Sequence, residues 1–512
     1  MLAIMGARLE TMFATALCFA AGCSTEFTSQ TCAVDSDCGD GLVCEMREQQ
    51  PVCVAATDAP LVIGHHSALS GTNQALGTNM KLGIELAFDE ENKAGGIRGR
   101  MLQLEFRDDA YDPATAEAAA RALVDAQTMT GQAPHCPTTM NPPVAPAISD
   151  TRLMRGPKAV LAMIGNVGTP TMVRAAPVVV ETGTVFFGPF TGAGTVLRDM
   201  SCGECAKYIF NVRASYAQEA RATLEFFKRK SVGGGAMNYK NVISFDQNDT
   251  YGQSGYDGLV AAYKELIGNF PSDADAVNPI QRFRYTRNDD TSVPAQAALA
   301  TAYLADLLEQ QSGTVSVGIL MTDTYGSATE FIKRIRDWQF ANDSEQTQLM
   351  KATRLKLYFS NVSFVGPNSL SDRLKALGTY NTAAGPVSYA DGVVVSQVVP
   401  NYQSDTSDVV TKYNVLIAEA GKEPSFTSLE GYVAARVFIA GLERHTGPFT
   451  AESLVSAFET LPDLGLGIGA TSGFTTTNHQ YSQSVWGTVI QADGSFKNLY
   501  FWSKGIPIQF FE

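Results

Sequence analysis

The stretch Leu61–Leu123, LVIGHHSALSGTNQALGTNMKLGIELAFDEENKAGGIRGRMLQLEFRDDAYDPATAEAAARAL, decides the fold. A short apolar run, Leu61–Gly64, is followed by a loop through Ser70-Gly71, and Gly77 opens a helical pattern. There Met80, Ile84, Ala87 and Phe88 recur at helical spacing and predict one buried stripe. Gly95-Gly96 end it, since glycine reaches the left-handed backbone that a helix terminus uses. Leu102, Leu104 and Phe106 then alternate with Gln103, Glu105 and Arg107, as a strand requires. Asp112-Pro113 caps the next helix, with proline where its missing N–H is harmless. Strand, helix, strand, helix in this rhythm predicts an α/β fold, a parallel sheet with helices on its faces.

The same alternation continues downstream. Strands are predicted at Ala159–Gly165, Val185–Gly188, Tyr208–Val212, Val242–Phe245 and Val317–Met321, and helices at Ala217–Lys228, Ser254–Leu266 and Ser425–His445. A capping box, Ser327 with Glu330, predicts a helix start at Ser327. One four-residue word occurs twice, as Asp249-Thr250-Tyr251-Gly252 and Asp323-Thr324-Tyr325-Gly326. Each copy follows an apolar strand and precedes a helix, the position where open α/β sheets place ligand contacts. Met129–Arg155 holds Cys136 and five prolines and is predicted to be an irregular surface loop.

Both ends of the first 60 residues carry meaning. Residues 1–22 read as an export signal: Arg8, an apolar run Met12–Ala21, then Ala20-Ala21-Gly22 before Cys23. Small residues before a cysteine are similar to a bacterial lipobox, in which Cys23 would be acylated, with plain signal cleavage as the alternative. Ser24 rather than aspartate after it favours the outer membrane by that analogy. Residues 23–59 form a cysteine-rich spacer or docking knob in which Cys32, Cys38, Cys44 and Cys53 are expected to form disulfides. Their three pairings are open. A zinc site is disfavoured because five, five and eight residues separate the cysteines, with no close CxxC pair. Cys202-Gly203-Glu204-Cys205 precedes a strand rather than a helix, so a structural disulfide, between these two or to Cys136, is expected instead of redox chemistry.

A net charge of −14 argues against nucleic acid or an anionic membrane surface as partner. No HExxH, GxSxG elbow, Walker A loop or GxGxxG after the first strand occurs, so no enzymatic constellation, metal site or cofactor is expected. His65 and His66 are adjacent on a strand end and should point to opposite sides, one packed and one at a cleft mouth. Gly168-Thr169-Pro170-Thr171 ends a strand and starts a helix, offering a hydroxyl and free backbone amides to a carboxylate.

Beyond these patterns, "LSG" at Leu69–Gly71, "ALG" at Ala75–Gly77, "ENKAGGIRGR" at Glu91–Arg100, "RDDAYDPATA" at Arg107–Ala116, "GNVGTPT" at Gly165–Thr171, "FFGPFTGA" at Phe186–Ala193, "FNVRASYAQEA" at Phe210–Ala220, "DQNDTYGQSGYDG" at Asp246–Gly258 and "PSFTSLEGYVAARV" at Pro424–Val437 stand in one order. Together they resemble the branched-chain amino-acid class of periplasmic binding proteins, receptors of ABC importers, over residues 60–512. The resemblance implies a two-lobed type I fold with three interlobe crossovers. Lobe 1 would hold 60–212 and 362–468, and lobe 2 would hold 213–361 and 469–512. It further implies an amino acid or similar small carboxylate captured by hinge closure, with no catalysis and a permease as partner. The alternative is a sensing or structural envelope lipoprotein. Thr169, Phe190 and Thr191 would hold the carboxylate, and Tyr216 and Tyr251 would close from the hinge and the second lobe. Asp289, within Asn288-Asp289-Asp290, would meet the ammonium, and Leu76, Tyr325 and Phe364 are candidate walls.

Overall fold

A computed structural model describes residues 31–47, 50–132, 136, 151–194, 204–235, 237–272, 274–445, 447–469 and 473–511. Cys23, the signal segment and Cys202 lie outside the described residues. The chain begins with a hairpin of β1 (Leu42–Arg47) and β2 (Gln50–Ala55). Disulfides Cys32–Cys44 and Cys38–Cys53 knit it, which selects one of the three pairings. It is a docked knob rather than a loose spacer. Arg98 pairs with Asp35, Arg100 pairs with Glu45 at 2.6 Å, and both guanidinium groups lie over the Phe449 ring.

The decisive stretch folds as read: β3 (Leu61–Ser67), α1 (Gln74–Lys93), β4 (Leu102–Asp108) and α2 (Pro113–Leu123). Met80, Ile84, Ala87 and Phe88 are buried, Gly95 and Gly96 have positive φ, and the Asp112 carboxylate accepts from the Thr115 amide. Phe106 departs from the alternation. It is 45% exposed on an edge strand, and Lys81 covers its ring at 4.1 Å. The segment expected to be an irregular loop has a paired stem, β5 (Gln127–Thr130) antiparallel to β6 (Thr151–Met154). β7 (Ala162–Ile164), α3 (Thr169–Glu181), β8 (Val185–Phe187) and β9 (Ile209–Phe210) complete a parallel five-stranded sheet in the order β4-β3-β7-β8-β9. Cys205 is bonded to Cys136, one of the two outcomes expected for the CxxC.

The chain then crosses to a second lobe: α4 (Tyr216–Arg229), β10 (Val242–Gln247), α5 (Thr250–Leu266), β11 (Gln281–Tyr285), α6 (Val293–Gln310), β12 (Val315–Thr322), α7 (Tyr325–Phe340) and β13 (Leu355–Asn361). The capping box expected at Ser327 does not form. The helix starts earlier, and the Ser327 hydroxyl donates to Asp290 instead. α8 (Pro367–Ala376), a hairpin of β14 (Thr379–Thr382) and β15 (Gly385–Ser388), and β16 (Val394–Gln397) follow in the same lobe. β16 pairs in parallel with β13, so the return to the first lobe comes after Gln397 and not at 362 as expected. α9 (Asp408–Glu419), α10 (Phe426–Arg444) and α11 (Ala451–Glu459) belong to the first lobe, where α10 lies on α1 so tightly that a Cβ on Gly83 would fall 1.9 Å from the Ser428 carbonyl. The first lobe also keeps residues past 468: the Asn211 amide donates to the His479 carbonyl, and the Tyr481 amide donates to the Asn211 carbonyl, both at 2.7 Å. The last crossing leads to β17 (Ser484–Ile490), β18 (Phe496–Ser503) and β19 (Ile506–Phe510), antiparallel additions that make the second sheet eight-stranded. No helix among the described residues is long and apolar enough to cross a membrane.

Candidate functional site: an interlobe cleft

Parallel strands β7 and β8 end on one wall of the cleft. Gly168, with φ 102°, turns the chain from β7 into α3. A Cβ there would lie 2.4 Å from the Tyr111 ring, so the turn needs glycine on both counts. Thr169 therefore starts α3, and its hydroxyl lies 2.7 Å from that of Thr191, in the loop after β8. Thr191 in turn lies 3.4 Å from the Tyr216 hydroxyl. Thr171 spends its own hydroxyl on the Val167 and Gly168 carbonyls. Thr169, Phe190, Thr191 and Tyr216 are thus brought together, all buried.

The opposite wall comes from the ends of β10, β12 and β13. Tyr251, in the first turn of α5, donates to the Asp323 backbone carbonyl at 2.9 Å. Its ring stands 5.5 Å from that of Tyr216 and 4.8 Å from that of Phe364. Phe364 also meets Phe190 at 4.9 Å and Tyr111 at 6.2 Å, so the aromatic wall is continuous across both lobes. Tyr285 donates to Gln247 Oε1 at 3.0 Å and accepts from the Thr324 amide at 3.1 Å. The lobes are closed on each other: Asn73 Nδ2 donates to Asn288 Oδ1 at 2.8 Å, and the Tyr325 hydroxyl donates to the Thr72 carbonyl.

Within this wall Asp323 is fully buried, and neither carboxylate oxygen has a hydrogen-bond partner among the described residues. Burial, reinforced by the nearby Asp290 and Asp246 carboxylates, pushes its carboxyl well above the usual range. Both ends of the Asn361 amide and the Thr322 hydroxyl are likewise buried without partners among the described residues. A buried carboxyl in this state is expensive unless something donates to it.

Asp289 is not brought to this cluster. It is half-exposed, and its carboxylate accepts from the amide and hydroxyl of Thr291, closing a local turn. Leu76 and Tyr325 meet at the lobe boundary beside Gly366, where a Cβ would lie 2.9 Å from Leu76 and 3.0 Å from Tyr325. Both histidines are buried, so one packs as expected and the one expected at the cleft mouth packs as well. His65 bonds the Ile164 carbonyl at 2.9 Å and the Ser67 hydroxyl at 2.8 Å, and burial lowers its pKa to about 3. His66 bonds Asp109 at 2.8 Å, and Asp109 accepts from the Tyr111 amide, which fixes that ring.

At the hinge, Arg213 joins both lobes beneath the aromatic wall. It pairs with Glu219 of α4 at 2.9 Å and Glu430 of α10 at 3.3 Å, and stands 5.2 Å from the Phe190 ring. Glu219 also accepts from the Ser363 amide and the Ser396 hydroxyl, at 2.7 Å and 2.6 Å. One ion cluster therefore ties together the start of α4 and the ends of β13 and β16.

Residues 60–135 and 349–495 match the periplasmic binding protein family model. A possible leucine/isoleucine/valine-binding protein from Rhodopirellula baltica SH 1 is 28% identical, with a TM-score of 0.63 over 87% of this chain and 98% of that one. The chain is similar in sequence and fold to the leucine/isoleucine/valine-binding class of periplasmic binding proteins. The Leu/Ile/Val-binding protein homolog 3 of Brucella melitensis biotype 1 is 40% identical over 70 residues, a match that spans 14% of this chain and 19% of that relative. The branched-chain amino-acid transporter protein of Thermus thermophilus, solved with bound valine, is 12% identical with a TM-score of 0.58, covering 87% and 97% of the two chains, and shares the fold. These relatives are solute-binding proteins rather than enzymes.

The sequence expectations did not single out the unmatched Asp323 and Asn361 or the His66–Asp109–Tyr111 support. The repeated Asp-Thr-Tyr-Gly word was the available signal for Asp323. Asn361 carried none, because an asparagine at a strand end is common in any role.

Proposed function

We propose that this periplasmic binding protein captures a free amino acid, or a small carboxylate with a cationic amine, between its lobes and delivers it to an ABC permease. The single observation that carries this is Asp323, a buried carboxyl at the end of β12 beside the cleft aromatics, with both oxygens unmatched among the described residues. It stands one tyrosine away from the opposing hydroxyl pair: Tyr251 bonds its backbone and packs on Tyr216, which reaches Thr191. The ligand carboxylate lies on Thr169, Thr191 and the amides at the start of α3, where the helix dipole favours an anion. Its ammonium donates to the Asp323 carboxylate, the role first expected of Asp289. Phe190, Phe364 and Tyr111 cover the apolar portion.

Closure works because the ligand makes contacts with both walls at once and so favours the shut form over the open one. Water leaves, and each charge-assisted bond strengthens in the drier surroundings. Micromolar affinity corresponds to about 8 kcal/mol, within reach of a few such bonds plus burial of one apolar side chain. Acylation of Cys23 would tether the receptor to the cell envelope, with outer-membrane attachment suggested by Ser24.

A thermal-shift screen against amino acids and against the matching acids that lack an amine tests this proposal. A true ligand raises the melting temperature as its concentration rises. Amino acids should bind and their deaminated counterparts should not. Preference for the deaminated acids would place the amine assignment in error. Binding without any uptake in cells would favour a sensing role over transport.

A further inference from the structure

A second groove lies at the other end of the first lobe, between the knob and the sheet. It has a volume of about 460 Å³ and is bordered by Leu61 and Val62 at the start of β3 and Leu161 just before β7. These are the opening ends of the strands whose far ends build the cleft, so the two sites are separated by the length of the sheet.

Two guanidinium groups line this groove. Arg100 is 3% exposed and held in place: it donates to the Ala59 carbonyl at 2.5 Å and pairs with Glu45 at 2.6 Å. Glu45 also lines the groove, so it offsets one positive charge. Arg155 is different. Its Nη2 donates to the Val160 carbonyl at 2.6 Å, and no carboxylate among the described residues forms an ion pair with it. Burial alone moves its pKa, downward, with no acidic group opposing the shift. Thr450 and Ala451, the cap and first residue of α11, close the same groove and add the positive end of a helix. The remaining wall is apolar, with Val62, Leu161 and the Phe449 ring.

An unmatched, half-buried guanidinium, a second one beside it and a helix start form a positive head pocket with apolar sides. We infer that this groove is a second binding site, for an organic oxyanion whose phosphate or carboxylate head sits on Arg155 and Arg100 and whose apolar body lies against Val62, Leu161 and Phe449. The planar fork of arginine suits either head, because both present paired oxygens at matching spacing. Glu45 sets the orientation by repelling the head toward Arg155. Both the knob and the first lobe contribute to the groove, so an occupant also bridges the disulfide-knit segment to the main body.

The test is calorimetric titration of the full chain, disulfides intact and at constant ionic strength, with phenyl phosphate and benzoate as probes for the two head groups. One-site saturable binding of at least one probe is expected. It should weaken at least tenfold in Arg155→Gln, weaken less in Arg155→Lys, and remain unchanged in Thr169→Ala, which alters only the cleft. Ala451→Phe, which fills the groove and leaves both arginines in place, should abolish binding and serves if Arg155→Gln does not fold. Phenyl phosphate alone binding in this pattern assigns a phosphate head, and benzoate alone assigns a carboxylate. No saturable binding of either probe, undiminished binding in Arg155→Gln and Ala451→Phe, or loss in Thr169→Ala would overturn the second site without touching the cleft proposal.

Discussion

The same four residues, Asp-Thr-Tyr-Gly, end two neighbouring strands of the second lobe and do different work in each place. At Asp249–Gly252 the aspartate is the N-cap of α5. Its carboxylate accepts from the Tyr251 amide at 2.9 Å, from Gln247 Nε2 at 2.6 Å and from Arg287 at 3.4 Å. At Asp323–Gly326 the helix starts one residue later, so Thr324 occupies the cap position and the aspartate falls outside it. The Thr324 amide is taken by the Tyr285 hydroxyl, and the Asp323 carboxylate keeps no partner among the described residues. A one-residue shift in a helix start thus separates a carboxylate spent on a helix cap from one left unmatched among the described residues. The two tyrosines diverge as well. Tyr251 is buried among the cleft aromatics, whereas Tyr325 fastens the lobes by bonding Thr72.

The sharpest way to break this comparison is to remove each charge in turn. Asp323→Asn should weaken amino-acid binding at least a hundredfold, because taking away one partner of a buried ion pair typically costs about 3–5 kcal/mol. Asp249→Asn should change affinity by less than about tenfold, its loss lying in a helix cap worth roughly 1 kcal/mol of stability. Equal effects of the two substitutions on affinity would erase the distinction drawn between them.

Proton linkage tests the same pair. The folded-state pKa of Asp323 is raised above its unfolded value of 3.8, so its favourable contribution is present below that value and is lost as pH rises through the raised one. The ligand-free protein should therefore gain melting temperature on acidification through that window relative to Asp323→Asn. Amino-acid affinity should fall over the same window, since an ammonium needs the carboxylate. Melting curves and titrations across pH in both proteins decide it. His65 contributes in the opposite sense. Its pKa is lowered from 6.5 to about 3, so its stabilising contribution is present above 6.5 and lost between those values on acidification. Only the difference between wild type and Asp323→Asn isolates the aspartate.

On the facing wall, Thr169→Ala should weaken binding about tenfold, or about 1.4 kcal/mol, through loss of one hydroxyl donor. Unchanged affinity would place the carboxylate elsewhere. The smallest expected effect is that of Tyr325→Phe, which removes one hydrogen bond between closed lobes. About 1 kcal/mol, or roughly fivefold in affinity, is expected, together with a faster ligand off-rate. Scattering from the ligand-free variant should show more of the open form.

Much of this was legible from residue patterns. The α1 stripe, the glycine stop after it and the Asp112-Pro113 cap are local codes, and each appears as read. The turn at Gly168-Thr169-Pro170 was legible for the same reason: glycine followed by Thr-Pro after an apolar strand marks a strand-to-helix turn. The partner of Asp289 was not legible, because an acidic run in a loop resembles a binding site, and only the fold reveals that its carboxylate closes a turn on Thr291. The lobe boundary at 362 was misplaced because β16 is a four-residue strand whose sheet membership depends on a distant partner.

Local chemistry thus fixed which segments are helices and strands, that they alternate into parallel sheets, and that four cysteines near the start would crosslink a segment too small to fold by burial alone. Tertiary structure alone decided which carboxylate is left unmatched, which sheet β16 joins, and that Arg155 stands beside a groove with no acidic partner among the described residues. The reason is physical. Helix and strand periodicity act over a few residues, whereas burial and charge pairing depend on groups brought together from distant parts of the chain.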